Sequence, residues 1–209
     1  MLSELDLSAL LCSRVCHDLI SPVSALNNGL EVLQEDDDPE MHNHAMTLIE
    51  MSGRQASNKL QFARMAYGAS GGAEGGLDLE EAGRILAALF EGSKIRLDWR
   101  APAQVAQKAL VKMILNMVVI AGDTIPRGGV ITVTAKLEPG ERVLSVEAVG
   151  EKAKIGAQAA HALAGQSTEQ DLDARSIQPF FVHLISRSCG MRLVCHPEDG
   201  RIHLTATEA

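Results

Sequence analysis

The sequence predicts an α+β protein, with an N-terminal antiparallel helical hairpin followed by a C-terminal α/β sandwich. Three observations predict this fold class. The first third of the chain shows only helical periodicity, a glycine-rich stretch follows it, and helical and strand patterns alternate from there to the end. The chain has 209 residues, of which 46% are hydrophobic and only 3% aromatic, so its core must be largely aliphatic.

The hairpin is predicted from two long helical patterns joined by a short turn. The first helix runs from Ser3 to about Gln34, and the second runs from Pro39 to about Tyr67. Asp38 before Pro39 is a good N-cap, and proline suits the first helical position. Because a hairpin alone leaves its apolar stripe in water, we expect two copies to pair as a homodimer with a four-helix bundle.

The domain boundaries follow from the stretch Gly68–Gly76, which holds five glycines in nine residues. We expect a hairpin domain at 1–68, a linker at 69–76 and a second domain at 77–209. In the second domain, helices are predicted over Asp78–Glu91, Ala103–Asp123 and Ser176–Ser188. Strands are predicted at Lys94–Arg100, from Val130, from Arg142, and in a final hairpin of MRLVCH and RIHLTAT.

Composition excludes several classes of function. The net charge of −8 and the scarcity of aromatic residues argue against a nucleic-acid partner. The sequence has no run of 18 apolar residues and no basic leader at its start, so we expect a cytoplasmic protein without a membrane span. The spacing of the four cysteines does not predict a metal site, and reduced thiols are expected.

The candidate catalytic residues lie in the segment HDLISPV of the first helix. On a helical wheel, His17 lies nearly opposite the apolar arc that contains Leu11 and Leu19, so we predict that it faces solvent. The polar residues beside it, which a partner protein would contact, are Ser13, Arg14, Ser21, Ser24 and Asn28. Pro22 removes the hydrogen bond that would reach the Asp18 carbonyl and should bend the helix just past His17.

This arrangement suits phosphoryl transfer. A neutral imidazole can attack phosphorus, and the pKa of histidine is near neutrality. The adjacent carboxylate of Asp18 can accept a hydrogen bond from the other ring nitrogen and so orient or activate the imidazole of His17.

The segment HDLISPV resembles the H-box of sensor histidine kinases, in which an acidic residue follows the histidine and a proline lies five positions on. The segment LVKMILNMVVIAGD from Leu110 resembles the N-box of the kinase ATPase domain, with Asn116 at its first asparagine. The position of its second, Mg²⁺-binding asparagine holds Ile120. The aspartate of the adenine-reading motif is replaced by Ala148, and the glycine-rich phosphate lid before the last helix is absent. An ATPase-like domain without cofactor binding is therefore expected.

The whole chain resembles the ChpT family of histidine phosphotransferases in alphaproteobacteria. The resemblance implies a cell-cycle phosphorelay of the two-component type, in which His17 is the phosphoacceptor. It implies a CckA-like hybrid kinase, whose receiver domain donates the phosphoryl group, and CtrA-like and CpdR-like response regulators that receive it. Mg²⁺ would be bound by the partner receiver, with no metal or other cofactor in this chain.

Two other classes of function remain open on the sequence. The chain could be a non-catalytic pseudo-kinase adaptor or inhibitor that binds kinases or response regulators through the same helices. It could also be an active kinase with an unusual ATP site, although Ile120 and Ala148 argue against this.

Overall fold

The computed structural model describes residues 2–35, 38–69 and 75–208. Its N-terminal part is a pair of long helices. Helix α1 spans Glu4–Glu35 and helix α2 spans Pro39–Ala66. The Asp38 side chain caps α2 by accepting a hydrogen bond from the N–H of Glu40 at 3.0 Å. The predicted hairpin and its cap are therefore confirmed, whereas most of the linker predicted at 69–76 lies outside the described residues.

The second part of the chain combines short helices with a mixed sheet. Its elements are β1 (Gly76–Asp78), α3 (Leu79–Leu89), β2 (Ile95–Trp99), β3 (Val105–Gln107), α4 (Lys108–Asp123), β4 (Gly129–Lys136), β5 (Val143–Val149), α5 (Ala157–Leu163), a 3₁₀ turn (Glu169–Asp171), α6 (Ile177–Ser188), β6 (Met191–Glu198) and β7 (Arg201–Glu208).

Five of these strands form one sheet in the order β2-β4-β5-β7-β6. Strands β2 and β4 are parallel, and the remaining neighbours are antiparallel. Alternate residues of the central strands are fully buried on one face, among them Ile131, Val146 and Leu204. The fold class predicted from the sequence is confirmed.

The structure contains elements that the sequence did not predict, among them the short strands β1 and β3 and helix α5. The helix predicted from Ala103 begins only at Lys108, because β3 pairs antiparallel with β1 and its backbone is held extended. Helix α5 was not predicted, since its seven residues are too few to show a clear helical period.

The end of α2 and the second part of the chain share one core. Phe62, Met65 and Ala66 belong to the same buried cluster as residues of α3, α4 and the sheet. Two side chains also reach across: the Asn58 amide donates to the Ala88 carbonyl at 2.7 Å, and the Lys112 ammonium donates to the Gly68 carbonyl at 2.6 Å. These contacts fix the hairpin against α3 and α4.

Along the described parts of the chain, none of the helices is both long enough and apolar enough to cross a bilayer.

Candidate functional site

His17 lies in the middle of α1, and 53% of its side chain is exposed. Its Nδ1 is 3.3 Å from Oδ1 of Asp18, which makes this a long hydrogen bond. Because an ionised carboxylate only accepts hydrogen bonds, this contact favours the tautomer with its proton on Nδ1. The Nε2 lone pair of a neutral His17 is then available for attack.

Asp18 is held by two groups besides His17, one from α1 and one from α2. Its second carboxylate oxygen, Oδ2, accepts a hydrogen bond from Nε of Arg14 at 2.9 Å. Its backbone carbonyl accepts one from the Lys59 ammonium of α2 at 2.8 Å. Both oxygens of the carboxylate therefore have a partner, and the residue beside His17 is fixed through its backbone as well as its side chain.

The five polar residues expected around His17 do not share one environment. Ser13, Ser21, Ser24 and Asn28 are exposed along α1, as the helical wheel predicts. Arg14, expected among the residues that a partner contacts, is largely buried, with only 11% of its side chain exposed. Arg14 lies on the flank of α1 that the second part of the chain covers, and a wheel of one helix cannot include that neighbour.

Arg14 instead lines a groove of about 260 Å³ between the hairpin and the second part of the chain. We call this the interdomain groove. Its lining residues are Arg14, Val15 and Asp18 from α1, Lys59, Phe62, Ala63 and Tyr67 from α2 and its end, and Leu89, Phe90, Ile95, Val119, Gly122 and Asp123 from the second part. The groove is mainly apolar, and its polar side chains converge near the base of the His17 turn.

Desolvation in the interdomain groove changes the acidity of two groups, of which Asp123 is an exposed residue and Tyr67 a partly buried one. Desolvation raises the pKa of the Asp123 carboxyl, and the nearby positive charge of Arg14 partly opposes this rise. Desolvation also raises the pKa of Tyr67 well above its ordinary value. The hydroxyl of Tyr67 is buried and has no hydrogen-bond partner among the described residues, while its ring packs edge-on against Phe62 and Phe181.

The sequence analysis did not identify Tyr67 and Asp123 as neighbours of the candidate site. A signal existed for Asp123, since it is an acidic residue at the end of a helix that is otherwise almost wholly apolar. Tyr67 is the single tyrosine of the chain, but nothing in its sequence context indicates the groove.

The residues at the positions that correspond to kinase nucleotide motifs lie inside the core. Asn116 is fully buried; its amide donates to the Lys112 carbonyl at 2.8 Å, and its Oδ1 accepts from the Gln178 amide at 3.0 Å. Ile120 and Ala148 are 3% and 0% exposed. These side chains contribute to packing and internal hydrogen bonds.

A metal centre built from several side chains is not found in residues 2–35, 38–69 and 75–208. No group of three or more His, Cys, Asp or Glu side chains there is placed to hold an ion.

Comparisons with known proteins all indicate the same family. A family model described as histidine phosphotransferase C-terminal domain matches residues 79–201. The chain is 38% identical to protein phosphotransferase ChpT of Brucella abortus (strain 2308) over 195 residues, which cover 93% of this chain and 92% of the relative.

Solved structures agree with the sequence relatives. A structure described as a bacterial phosphotransferase superimposes with a TM-score of 0.89 at 36% identity, covering 99% of this chain and 98% of the other. The histidine kinase domain of a blue-light activated kinase from Erythrobacter litoralis gives 0.51 at 13% identity, covering 90% of this chain and 93% of the other, which shows a shared fold alone. The chain belongs to the histidine phosphotransferase family.

Proposed function

We propose that this protein is a phosphorelay enzyme that carries a phosphoryl group on His17. The group arrives from the receiver domain of a hybrid histidine kinase and leaves to the receivers of response regulators. The single observation that carries the proposal is the exposed imidazole of His17, whose Nδ1 contacts Asp18 and whose Nε2 is left for the reaction.

The transfer needs only two bond changes. Nε2 of His17 attacks the phosphorus of the receiver's aspartyl phosphate, an N–P bond forms, and the P–O bond to the aspartate breaks. The leaving group is the receiver carboxylate, and Asp18 stabilises the positive charge that develops on the imidazole ring. Donation to the next receiver is the same step in reverse, with Mg²⁺ supplied on the receiver to offset the phosphoryl charge.

We further propose that this chain does not use ATP directly. The Asn116 amide oxygen, which could contribute to a Mg²⁺–nucleotide site, already accepts the Gln178 hydrogen bond. Ile120 offers no oxygen ligand and Ala148 no carboxylate for adenine. These three positions support the proposal that the domain has no nucleotide site.

Pairing of two hairpins as a homodimer is proposed from an apolar stripe on α1. Leu5, Cys12, Cys16, Val23 and Leu30 are all exposed, and successive members are four or seven residues apart. This is the spacing with which helices pack in bundles and coiled coils. A second copy of the hairpin would cover the stripe, whereas His17 lies off it.

The proposal is tested by phosphoryl uptake from a phosphorylated receiver. Wild-type protein is expected to take up label that is acid-labile and base-stable, as a phosphohistidine is. The variant His17→Ala should take up none, while the control His44→Ala, at an exposed histidine of α2, should behave as wild type.

Three outcomes would contradict it. Label on His17→Ala would place the phosphoacceptor elsewhere. Absence of label on the wild type would favour an adaptor or inhibitor that only binds its partners. Nucleotide binding by calorimetry at millimolar ATP would contradict the ATP-independent mechanism.

A further inference from the structure

Pro22 leaves a gap in the hydrogen bonding of α1 next to His17. In an α-helix, the carbonyl of Asp18 accepts a hydrogen bond from the N–H four residues later, which is at position 22. Proline has no N–H, and yet α1 continues through this residue from Glu4 to Glu35. The carbonyl of Asp18 therefore lacks its helical partner.

A side chain of the other hairpin helix fills this gap. The ammonium group of Lys59 lies 2.8 Å from the Asp18 carbonyl oxygen, a short distance typical of a hydrogen bond from a charged donor. Lys59 is partly buried at the edge of the interdomain groove. It supplies the donor that Pro22 cannot.

The residue held in this way is the one that contacts His17. Asp18 is fixed at its backbone by Lys59 and at its side chain by Arg14, and its Oδ1 meets the imidazole. Loss of the lysine contact would leave a partly buried carbonyl unpaired within the turn that carries both His17 and Asp18. The turn would then move or fray at the proline.

We propose that Lys59 is a positioning residue for phosphoryl transfer, which acts by donating to the carbonyl that Pro22 frees. The inference rests on the proposed function, because it requires that His17 is the phosphoacceptor. It makes Lys59 and Pro22 a pair: the lysine is needed because the proline is there. The variant Pro22→Ala restores the missing N–H and should make the lysine contact dispensable.

The test is a double-mutant cycle of wild type, Lys59→Met, Pro22→Ala and the double variant. Methionine keeps an unbranched stem of similar length and removes the ammonium group. The phosphodonor is potassium phosphoramidate, a small molecule, so contacts between Lys59 and a receiver protein cannot contribute. With Pro22 present, Lys59→Met should slow phosphorylation of His17 about tenfold.

In the Pro22→Ala background, the same lysine substitution should change the rate by no more than about twofold, the usual limit of independent effects. Lys59→Arg, which keeps a charged donor, should retain most of the wild-type rate. Lys136→Met, at an exposed lysine on β4, serves as the matched control and should not change it. If Lys59→Met slows phosphorylation of His17 by the same factor with Pro22 and with Ala at position 22, the proposal is wrong.

Amide hydrogen exchange over residues 19–26, measured on the same four proteins, is a second test that does not depend on phosphoryl transfer. Lys59→Met should speed exchange there when residue 22 is proline and leave it unchanged when residue 22 is alanine. Equal acceleration in both backgrounds would overturn the inference. If wild-type His17 takes up no phosphoryl group, the proposed function fails, and the exchange cycle still decides whether Lys59 secures the proline turn.

Discussion

At the scale of single residues, the candidate site depends on Asp18 as much as on His17. One carboxylate oxygen meets the imidazole and the other meets the guanidinium of Arg14. The helical wheel predicted the exposure of His17, because that depends on α1 alone. It failed for Arg14, whose burial depends on residues of the second part of the chain that lie far away in sequence.

Replacing Asp18 by asparagine should slow transfer strongly. The variant keeps the shape of the side chain but removes the negative charge that stabilises a developing imidazolium. We expect single-turnover transfer from a phosphorylated receiver to fall about 100-fold, in the usual range for loss of an acid–base partner. The control is Glu31→Gln, at an exposed position of the same helix. An unchanged rate for Asp18→Asn would show that His17 needs no carboxylate.

Asp123 should make stability depend on pH. Its folded-state pKa is raised above the ordinary value of 3.8, so the folded protein binds this proton more tightly than the unfolded chain does. The contribution of Asp123 to the free energy of unfolding therefore falls as the pH rises above 3.8 and through the folded-state pKa.

The variant Asp123→Asn removes this dependence. Its melting temperature relative to wild type should increase as the pH rises through that window and then level off, as measured by calorimetric scans. A difference that shrinks with rising pH would mean that attraction to Arg14 outweighs desolvation.

At the scale of elements, the contact between α1 and α2 is close where glycine allows it. A Cβ built at Gly29 would lie 2.7 Å from Cγ1 of Ile49 and 3.2 Å from the Ala45 carbonyl oxygen. At Gly53 on the facing helix, a Cβ would lie 3.9 Å from Cδ2 of Leu26. The first position is crowded, and the second has ordinary van der Waals room.

These two glycines give opposite predictions for the same substitution. Gly53→Ala should stabilise the protein by about 0.5–1 kcal/mol, because alanine is the better helix former. Gly29→Ala should destabilise it by about 1–2 kcal/mol, since the methyl group forces a stiff β-branched side chain and the facing backbone to shift. Denaturant unfolding measures both, and stabilisation by Gly29→Ala would mean that α1 and α2 separate at low cost.

Element prediction from the sequence succeeded where signals are local. Asp38 with Pro39 marks the start of α2, and the long periodic runs of the hairpin require no knowledge of the fold. It failed where pairing is distant in sequence: β3 is extended because β1, about 30 residues earlier in the chain, supplies its hydrogen bonds. A window around Val105 alone could not contain that information.

At the scale of the whole molecule, the order of the longer helices and of the strands of the five-stranded sheet followed from the sequence. The burial of α2 against α3 and α4 did not. The interdomain groove results from that packing, which explains why sequence analysis reached His17 and Asp18 but missed Tyr67 and Asp123. The exposed stripe of α1 is the remaining large-scale feature, and it bears on assembly.

A charge placed in the stripe should prevent formation of the proposed dimer. Val23→Glu is expected to halve the mass measured by light scattering at micromolar concentration, because burying an unpaired carboxylate in an apolar interface is costly. The matched control is Val105→Glu on β3, where the valine is 68% exposed and lies outside the hairpin. A wild-type protein that is already a monomer would contradict the four-helix bundle.

The burial of Ala148 limits which side chains that position of β5 can hold. Ala148 lies in β5 directly between Ile131 of β4 and Ile202 of β7. An aspartate there would put an unpaired carboxylate into the sheet core, at a cost of several kcal/mol, before any nucleotide could compensate for it. The single substitution Ala148→Asp would therefore destabilise the protein, because β5 presents this position to the core.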